Sequence, residues 1–181
     1  CIDGADIALS GSPAGGVWSG SGVTGSSFDP SVGTSTLTYT YTDGNNCVNS
    51  AETTITVIAK PTIPAIGSPG LFCVDSSMNP STPTVNNNGS AITAQGWQLE
   101  SASGSGTYNN ISVPYTISFA DYGKKLRYYA TNSCGTTTSN EVTFIVADKP
   151  FIGTVSPLSP VCEGAALSLV TPGTGNNNSV I

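Results

Sequence analysis

TSTLTYTYT, residues 34–42, is the stretch of sequence that decides the fold. Its residues alternate, so that Leu37, Tyr39 and Tyr41 fall on one face and threonines fall on the other. Alternation of apolar residues with β-branched ones is typical of a half-buried β-strand. The run DGNN at 43–46 follows and favours a tight turn with positive φ. These residues predict a strand that ends in a hairpin.

Further strand-like runs occur along the chain. AETTITVIA at 51–59 predicts the strand after the hairpin, and KLRYYAT at 125–131 with NEVTFIV at 140–146 predicts an equivalent pair. AITAQGWQLE at 91–100 and PYTISF at 114–119 are further candidates. Gly and Pro interrupt the chain about every ten residues, and no stretch shows the 3.6-residue period of a helix. We therefore predict an all-β chain of tandem immunoglobulin-like β-sandwich domains.

One junction motif occurs twice. A Lys-Pro pair stands at 60–61 and again at 149–150, 89 residues later, and a cysteine follows each proline after twelve residues, at Cys73 and Cys162. A motif that recurs at domain length indicates an array of repeats. Cys1 opens a similar run and aligns with the other two cysteines.

The motif divides the chain into three predicted units. Residues 1–59 are a repeat that lacks its first strand, residues 60–148 are a complete repeat, and residues 149–181 begin a third, truncated one. We expect the polypeptide to continue beyond both ends. Because proline restricts both itself and the residue before it, the Lys-Pro junctions predict a semi-rigid rod of domains.

Composition excludes several functions. Only 9% of the residues are charged and the net charge is −6, with five basic residues in all. Their one cluster, Lys124, Lys125 and Arg127, is too small for nucleic-acid binding, which needs many basic groups. No apolar run is long enough for direct membrane insertion. Without histidine or a recognisable catalytic motif, the sequence predicts no enzyme, no cofactor and no metal centre.

Two longer segments carry a resemblance to a known family. PAGGVWSGSGVTGSSFDP at 13–30, followed by LTYTYTDGNNC at 37–47 and TTITV at 53–57, resembles the immunoglobulin-like and PKD-like repeats of Bacteroidota cell-surface adhesins. DYGKKLRYYATNSCGTTTSNEVTFIV at 121–146 is similar to related repeats of the same proteins. These repeats occur in gliding-motility adhesins and in other cargo of the type IX secretion system.

The resemblance implies a location at the bacterial cell surface and a structural or adhesive role, as the stalk of a large adhesin or an extracellular filament. The expected partners are neighbouring repeats of the same chain, and either surface glycans or other copies of the protein. Edge pairing between copies is expected at the Thr/Tyr ladder at 36–42. The alternative is a carbohydrate-binding or accessory β-sandwich module of a secreted polysaccharide-degrading enzyme.

The cysteines predict disulfides, which stabilise small domains in an oxidising compartment. We pair Cys1 with Cys47 and Cys73 with Cys134, while Cys162 would pair beyond residue 181. A geometric difficulty leaves an alternative open. The cysteines of one sandwich could lie at opposite poles, too far apart for a bridge, and the bridges would then join neighbouring domains.

Aromatic and acidic residues complete the predictions. The expected core consists of Trp18, Phe28, Tyr39, Trp97, Leu126 and Tyr128. The carbohydrate-binding alternative instead requires two or three of a second set to line one exposed face, namely Trp18, Trp97, Tyr108 and Tyr115. Asp3, Asp6 and Asp43 could supply oxygen ligands to calcium, although their short runs fit turns better.

Overall fold

The computed structural model describes residues 1–150, which form short β-strands joined by turns and by two three-residue 3-10 helices. Almost all the strand pairs are antiparallel, and the prediction of an all-β chain is confirmed. Within these residues, no helix has the length and apolar character needed to cross a membrane. Of the predicted third unit, only Lys149 and Pro150 are described, so Cys162 lies outside the described residues.

The first unit (residues 1–59) contains six strands. They are β1 (Ile7–Ala8), β2 (Val17–Ser19), β3 (Val23–Thr24), β4 (Ser27–Phe28), β5 (Ser35–Thr42) and β6 (Val48–Ile55). One antiparallel sheet has the order β1-β4-β3, and the other has the order β2-β5-β6. The strand predicted at 34–42 is β5, and the turn after it contains Asn46 at a φ of 64°. Alternation and turn chemistry therefore located the central hairpin of this unit.

The first unit buries few side chains. Phe28 and Leu37 are fully buried, one from each sheet. Trp18 and Tyr39 are half-buried and lie against each other, with ring centroids 5.0 Å apart. The Tyr39 ring also lies against Gly16, where an added Cβ would come within 2.4 Å of it. Glycine is needed at that position because the backbone itself covers the ring.

The exposed edge of this unit is not where the sequence predicted it. β5 lies between β2 and β6, so Thr38, Tyr39 and Thr40 are paired on both sides, while the rest of the ladder at 36–42 is paired with β6 alone. The edge strand is β6, in which every residue except Ile55 is exposed. β6 also begins and ends earlier than the predicted strand at 51–59. The backbone beyond it turns to other partners, and the Val57 amide donates to the Thr34 hydroxyl at 2.9 Å.

The second unit (residues 60–148) contains nine strands. They are β7 (Leu71–Cys73), β8 (Ser77–Met78), β9 (Ala94–Glu100), β10 (Tyr108–Ile111), β11 (Tyr115–Thr116), β12 (Lys125–Asn132), β13 (Gly135–Thr138), β14 (Val142–Thr143) and β15 (Ile145–Ala147). The main sheet has the order β10-β9-β12-β13, with β14 also pairing with β12. Two smaller pairs accompany it, antiparallel β8-β11 and parallel β7-β15.

One hydrophobic core joins the main sheet to the two smaller pairs. Its buried members are Met78, Trp97, Leu99, Ile117, Leu126, Tyr128, Phe144 and Val146. Trp97 and Tyr128 meet edge to face at 5.1 Å, a favourable geometry for aromatic rings. β12 alternates buried and half-buried residues along its whole length, which is the pattern of a central strand with one face in the core.

The last strand of the second unit differs from its prediction. NEVTFIV at 140–146 was expected to be continuous, but it forms β14 and β15 on either side of Phe144. The Phe144 amide donates to the Lys124 carbonyl at 2.8 Å, so this residue bonds outside the ladder of either strand. The segment expected to be a loop between the two strands contains β13, which pairs with β12 across a tight hairpin.

Candidate functional site

The connection between the two units is hydrogen-bonded to several distant segments of the chain. We call it the junction, and define it as residues 58–62 with the three segments that contact them, 1–3, 86–90 and 132–135. The sequence pointed to its Lys-Pro pair, to Cys1 and Cys134 and to Asp3, but not to the hydrogen bonds that connect its segments. Its geometry decides whether the two units can move independently of each other.

Three consecutive carbonyl groups of the connecting segment (residues 58–62) accept hydrogen bonds from three different segments. The Ile58 carbonyl accepts from the Ile2 amide at 2.8 Å. The Ala59 carbonyl accepts from the Asn132 side chain at 2.7 Å, and the Lys60 carbonyl accepts from the Asn88 side chain at 2.6 Å. A linker whose backbone groups are each bonded to a different segment has little freedom to bend.

Asn132 is the centre of this network. It is 4% exposed at the end of β12, and its amide nitrogen donates to the carbonyls of both Ala59 and Asn87. Its side-chain oxygen accepts from the Cys134 amide at 2.9 Å, which shapes the hairpin that follows. Since an unpaired buried amide costs free energy, these bonds fix the connecting segment against the second unit.

A disulfide closes the junction. Cys1 is bridged to Cys134, with a Cα–Cα distance of 5.5 Å and a sequence separation of 133. The predicted pairs Cys1–Cys47 and Cys73–Cys134 are therefore wrong, and Cys47 and Cys73 are unpaired and exposed. The reason is the geometry noted from sequence. The residue after Cys1 bonds to Ile58, beyond the end of β6, whereas Cys47 precedes the start of that strand. The start of the first unit instead meets the β12–β13 hairpin of the second.

Lys60 adds a charged contact at the same place. Its ammonium lies 2.9 Å from the Asp3 carboxylate, and this hydrogen bond lowers the pKa of Asp3. Its stem passes Gly135, where a Cβ would come within 3.1 Å of the lysine Cε. Gly135 has a φ of 127°, so both conformation and space favour glycine there.

Two of the three acidic residues weighed as calcium ligands have other partners. Asp3 pairs with Lys60, and the Asp43 carboxylate accepts from the amides of Asn45 and Cys47 at 2.8 and 2.9 Å. These are turn-stabilising contacts. In the part of the chain that is described, no three acidic or cysteine side chains gather into a group that could hold a metal ion.

The basic residues that cluster in sequence are each paired with an acid. Lys124 lies 3.0 Å from the carboxylate of buried Asp121, and Lys125 lies 2.9 Å from Glu141. Arg127 lies 3.9 Å from the same Glu141. These ion pairs all lie within the second unit, where three cations share two carboxylates.

The aromatic residues of the carbohydrate-binding alternative do not share one face. Trp97 is buried in the core of the second unit, and Trp18 lies half-buried in the first unit against Tyr39. Tyr115 is half-buried, and its hydroxyl donates to the Asp121 carboxylate. Burial raises the pKa of Tyr115, and the neighbouring carboxylate adds to the effect. Tyr108 alone of the four lies on the solvent side of the main sheet.

A different polar and aromatic set covers that side of the sheet. Arg127 stacks on the Tyr108 ring, 3.5 Å from its centroid, and the Tyr108 hydroxyl donates to the Glu141 carboxylate. Burial, followed by this hydrogen bond, raises the pKa of Tyr108 to about 12. The same bond, with a second from Lys125, lowers the pKa of Glu141. The phenol is therefore protonated and the carboxylate ionised at neutral pH.

The set extends across the neighbouring strands through planar amides. Gln98 accepts from the Arg127 guanidinium and donates to Asn110, each at 2.9 Å. Asn110 donates to the Tyr129 hydroxyl at 3.3 Å, and the Tyr129 ring lies over Gly96. We call the whole set the outer face; its members are Gln98, Tyr108, Asn110, Arg127, Tyr129 and Glu141.

Comparisons with known proteins identify no family for this chain. A scan against protein-family models gives no match, and a search of curated proteins finds none that is similar.

Proposed function

We propose that the chain is a stalk segment of a bacterial cell-surface adhesin or extracellular filament, built from immunoglobulin-like β-sandwich repeats in series. In this proposal the units do no chemistry, and their task is to hold a binding end at a distance from the cell. The observation that carries the proposal is the junction, in which one disulfide and hydrogen bonds to three consecutive carbonyls fix the connecting segment.

Two further features support this role. The disulfide fits an oxidising environment, since such bridges persist outside the cytoplasm. The resemblance of residues 13–57 and 121–146 to surface-adhesin repeats points the same way. Antibodies raised against residues 1–150 should then label intact cells, and labelling only after lysis would contradict the surface location.

Stiffness is measured directly with the two exposed thiols, because Cys47 lies in the first unit and Cys73 in the second. Spin labels on these two residues, in a chain with Cys162→Ser, report the distribution of distances between the units. A stalk gives one narrow distribution. Insertion of Gly-Ser-Gly-Ser between Ala59 and Lys60, combined with Cys1→Ser and Cys134→Ser so that the bridge no longer fixes the junction, provides the flexible control. A native chain with a distribution as broad as this control would overturn the stalk proposal.

The outer face supports a second candidate, a carbohydrate-binding module. Aromatic rings and planar polar side chains on one sheet face provide the stacking and hydrogen-bonding groups that sugar rings need. This candidate predicts binding on a glycan array that falls at least about tenfold with Tyr129→Ala, because burial of a ring is worth about 1.5–3 kcal/mol. Thr136→Ala on β13 is the matched control. Binding that is equal in both variants, or absent throughout, removes the candidate.

A further inference from the structure

The two units end in the same way, at positions related by the internal repeat. In the first unit, the residue after Cys1 donates its amide to the last strand segment, Ile2 to Ile58 at 2.8 Å. In the second unit, the residue after Cys73 does the same, Val74 to Ala147 at 3.1 Å. The opening cysteine of each unit is therefore held beside the end of that unit.

The ion pair at the junction is also repeated. Asp3, two residues after Cys1, binds Lys60 at 2.9 Å, and Asp75, two residues after Cys73, binds Lys149 at 2.7 Å. The backbone bond and the ion pair are independent contacts. Both indicate that Cys73 occupies the position in the second unit that Cys1 occupies in the first.

The two opening cysteines differ in their partners. Cys1 is bridged to Cys134, in the β12–β13 hairpin of the unit that follows it, whereas Cys73 is exposed and unpaired. The hairpin cysteine of the first unit, Cys47 between β5 and β6, is also exposed and unpaired. Each unit thus supplies one opening cysteine and one hairpin cysteine, and the bridge runs from an opening cysteine to the hairpin of the next unit.

The surroundings of Cys73 leave room for the same contact. Around Cys1, the Gly135 hairpin lies against the stem of Lys60, and the side chains of Lys60 and Asp3 are 47% and 51% exposed. The side chains of the corresponding pair, Lys149 and Asp75, are 59% and 66% exposed. The side chains of the second pair are therefore more exposed than those of the first.

We propose that Cys73 is an inter-unit cross-linking site, which takes the hairpin cysteine of a repeat seated on the end of the second unit. Cys47 is the complementary site, which takes the opening cysteine of a repeat seated in front of the first unit. The inference deepens the proposed stalk role and rests on it to the extent that it needs units in series. Repeats joined in this way form a linear array in which every junction between neighbouring units carries one disulfide.

The cross-link forms by thiol–disulfide exchange with a small disulfide oxidant such as oxidised glutathione. One cysteine thiolate attacks the oxidant, forms a mixed disulfide and releases one glutathione thiolate. The second cysteine thiolate then attacks the protein sulfur of the mixed disulfide and expels the other thiolate. The two protein thiols lose two electrons and two protons, and one oxidised glutathione becomes two reduced ones.

The test extends the chain by one unit. Residues 1–148 are followed directly by a second copy of residues 60–148, so that the copy enters at the 89-residue period. This chain has six cysteines, and the proposal predicts two bridges, Cys1–Cys134 and Cys73 to the appended Cys134. Two free thiols then remain, against four if only the first bridge forms. Oxidation in a glutathione buffer, thiol titration and peptide mapping without reduction give the result.

A matched control carries Cys134→Ser in the appended copy only, and there three free thiols are expected, including Cys73. The same chain oxidised in urea gives the statistical mixture of bridges expected for unfolded units. A native sample with Cys73 free, with Cys73 bonded elsewhere, or with that statistical mixture would overturn the cross-linking site. If Cys1–Cys134 forms but Cys73 stays free, the cross-linking inference fails while the stalk proposal is unaffected. A broad distance distribution between the spin labels would instead defeat the stalk proposal.

Discussion

Each unit has a strand paired on both sides, in the orders β2-β5-β6 and β9-β12-β13, but the two units differ in how much they bury. The second unit packs eight hydrophobic side chains into one core, whereas in the first unit Phe28 and Leu37 are the buried hydrophobic residues. Each fully buried side chain of this kind contributes about 1.5–3 kcal/mol, so burial favours the second unit strongly. A unit of the size of the first one needs a further source of stability. We infer that the junction supplies it.

The largest expected effect lies in the core of the second unit. Leu126 is 1% exposed and pairs with Leu99 across the main sheet, so Leu126→Ala removes contacts that the surroundings cannot replace. We expect a loss of about 3 kcal/mol in the free energy of unfolding of this unit. Native-state hydrogen exchange of the β12 amides measures it. The matched control is Leu71→Ala, at a site that is 67% exposed. Equal losses in the two variants would show that the core is not the source of stability.

The disulfide gives the next largest effect, and here the two units should respond differently. While the second unit is folded, the Cys1–Cys134 bridge restricts the unfolded conformations of the first unit. Removal of the bridge raises the conformational entropy of the unfolded first unit and so lowers its stability. Cys1→Ser with Cys134→Ser should cost the β5 amides about 2–4 kcal/mol of protection. The β12 amides should change by less than about 1 kcal/mol, since the core of the second unit is unaffected.

Matched serine substitutions at the unpaired cysteines distinguish the effect of losing the disulfide from the effect of losing a cysteine side chain. Cys47→Ser and Cys73→Ser change exposed residues, and neither should alter protection in either unit. If the β5 and β12 amides lose equal protection when the bridge is removed, the two units unfold together and the contrast drawn here is incorrect.

A smaller effect is expected from a buried acid of the second unit. Asp121 is 1% exposed and accepts hydrogen bonds from the Ser118 amide at 2.9 Å and from Lys124 at 3.0 Å. Burial alone would raise the pKa of Asp121, but the hydrogen bonds outweigh it and the pKa is lowered. The ionised form is therefore favoured by folding. Its contribution is present above the pKa of the unfolded chain and is lost as the pH falls through the lower, folded-state pKa.

Asp121→Asn should therefore cost the second unit about 2 kcal/mol at neutral pH. The variant should also lose less stability than the wild type as the pH falls from about 4 towards 2. Urea unfolding across this pH range, followed by hydrogen exchange of β12, tests both points. Exposed Asp6→Asn in the first unit is the control. An unchanged pH profile in Asp121→Asn would remove Asp121 from the acid response.

The sequence predicted those parts of the fold that depend on local patterns. Alternation located β5 and β12, and the DGNN run located a turn with positive φ. The ends of β6 were not predictable, because residues 57–59 take their hydrogen bonds from other segments instead of from the sheet. The break at Phe144 has the same cause, a backbone bond to Lys124 that no local pattern encodes.

The candidate site was harder to predict, because it depends on how two units meet. The pairing of Cys1 with Cys134 joins segments that only the arrangement of both units brings together. Asn132, which organises the junction, gave no signal beyond its position two residues before Cys134. One signal was present but unused, since an aspartate follows both Cys1 and Cys73 by two residues, and each binds the lysine that directly follows its unit.

The smallest expected effect comes from that repeated ion pair, and it distinguishes the contacts that stabilise the junction. Lys60 and Asp3 are each about half exposed, so water and salt screen the attraction between them. Lys60→Met keeps most of the stem that lies against Gly135 and removes only the charge. We therefore expect no measurable change in hydrogen-exchange protection of β5, at low or high salt. Asn132→Ala is the contrasting variant, since it removes the buried amide that bonds to the Ala59 and Asn87 carbonyls and should cost about 1–3 kcal/mol. A loss in Lys60→Met as large as in Asn132→Ala, and reversed by salt, would show that charge and not the buried amide holds the units together.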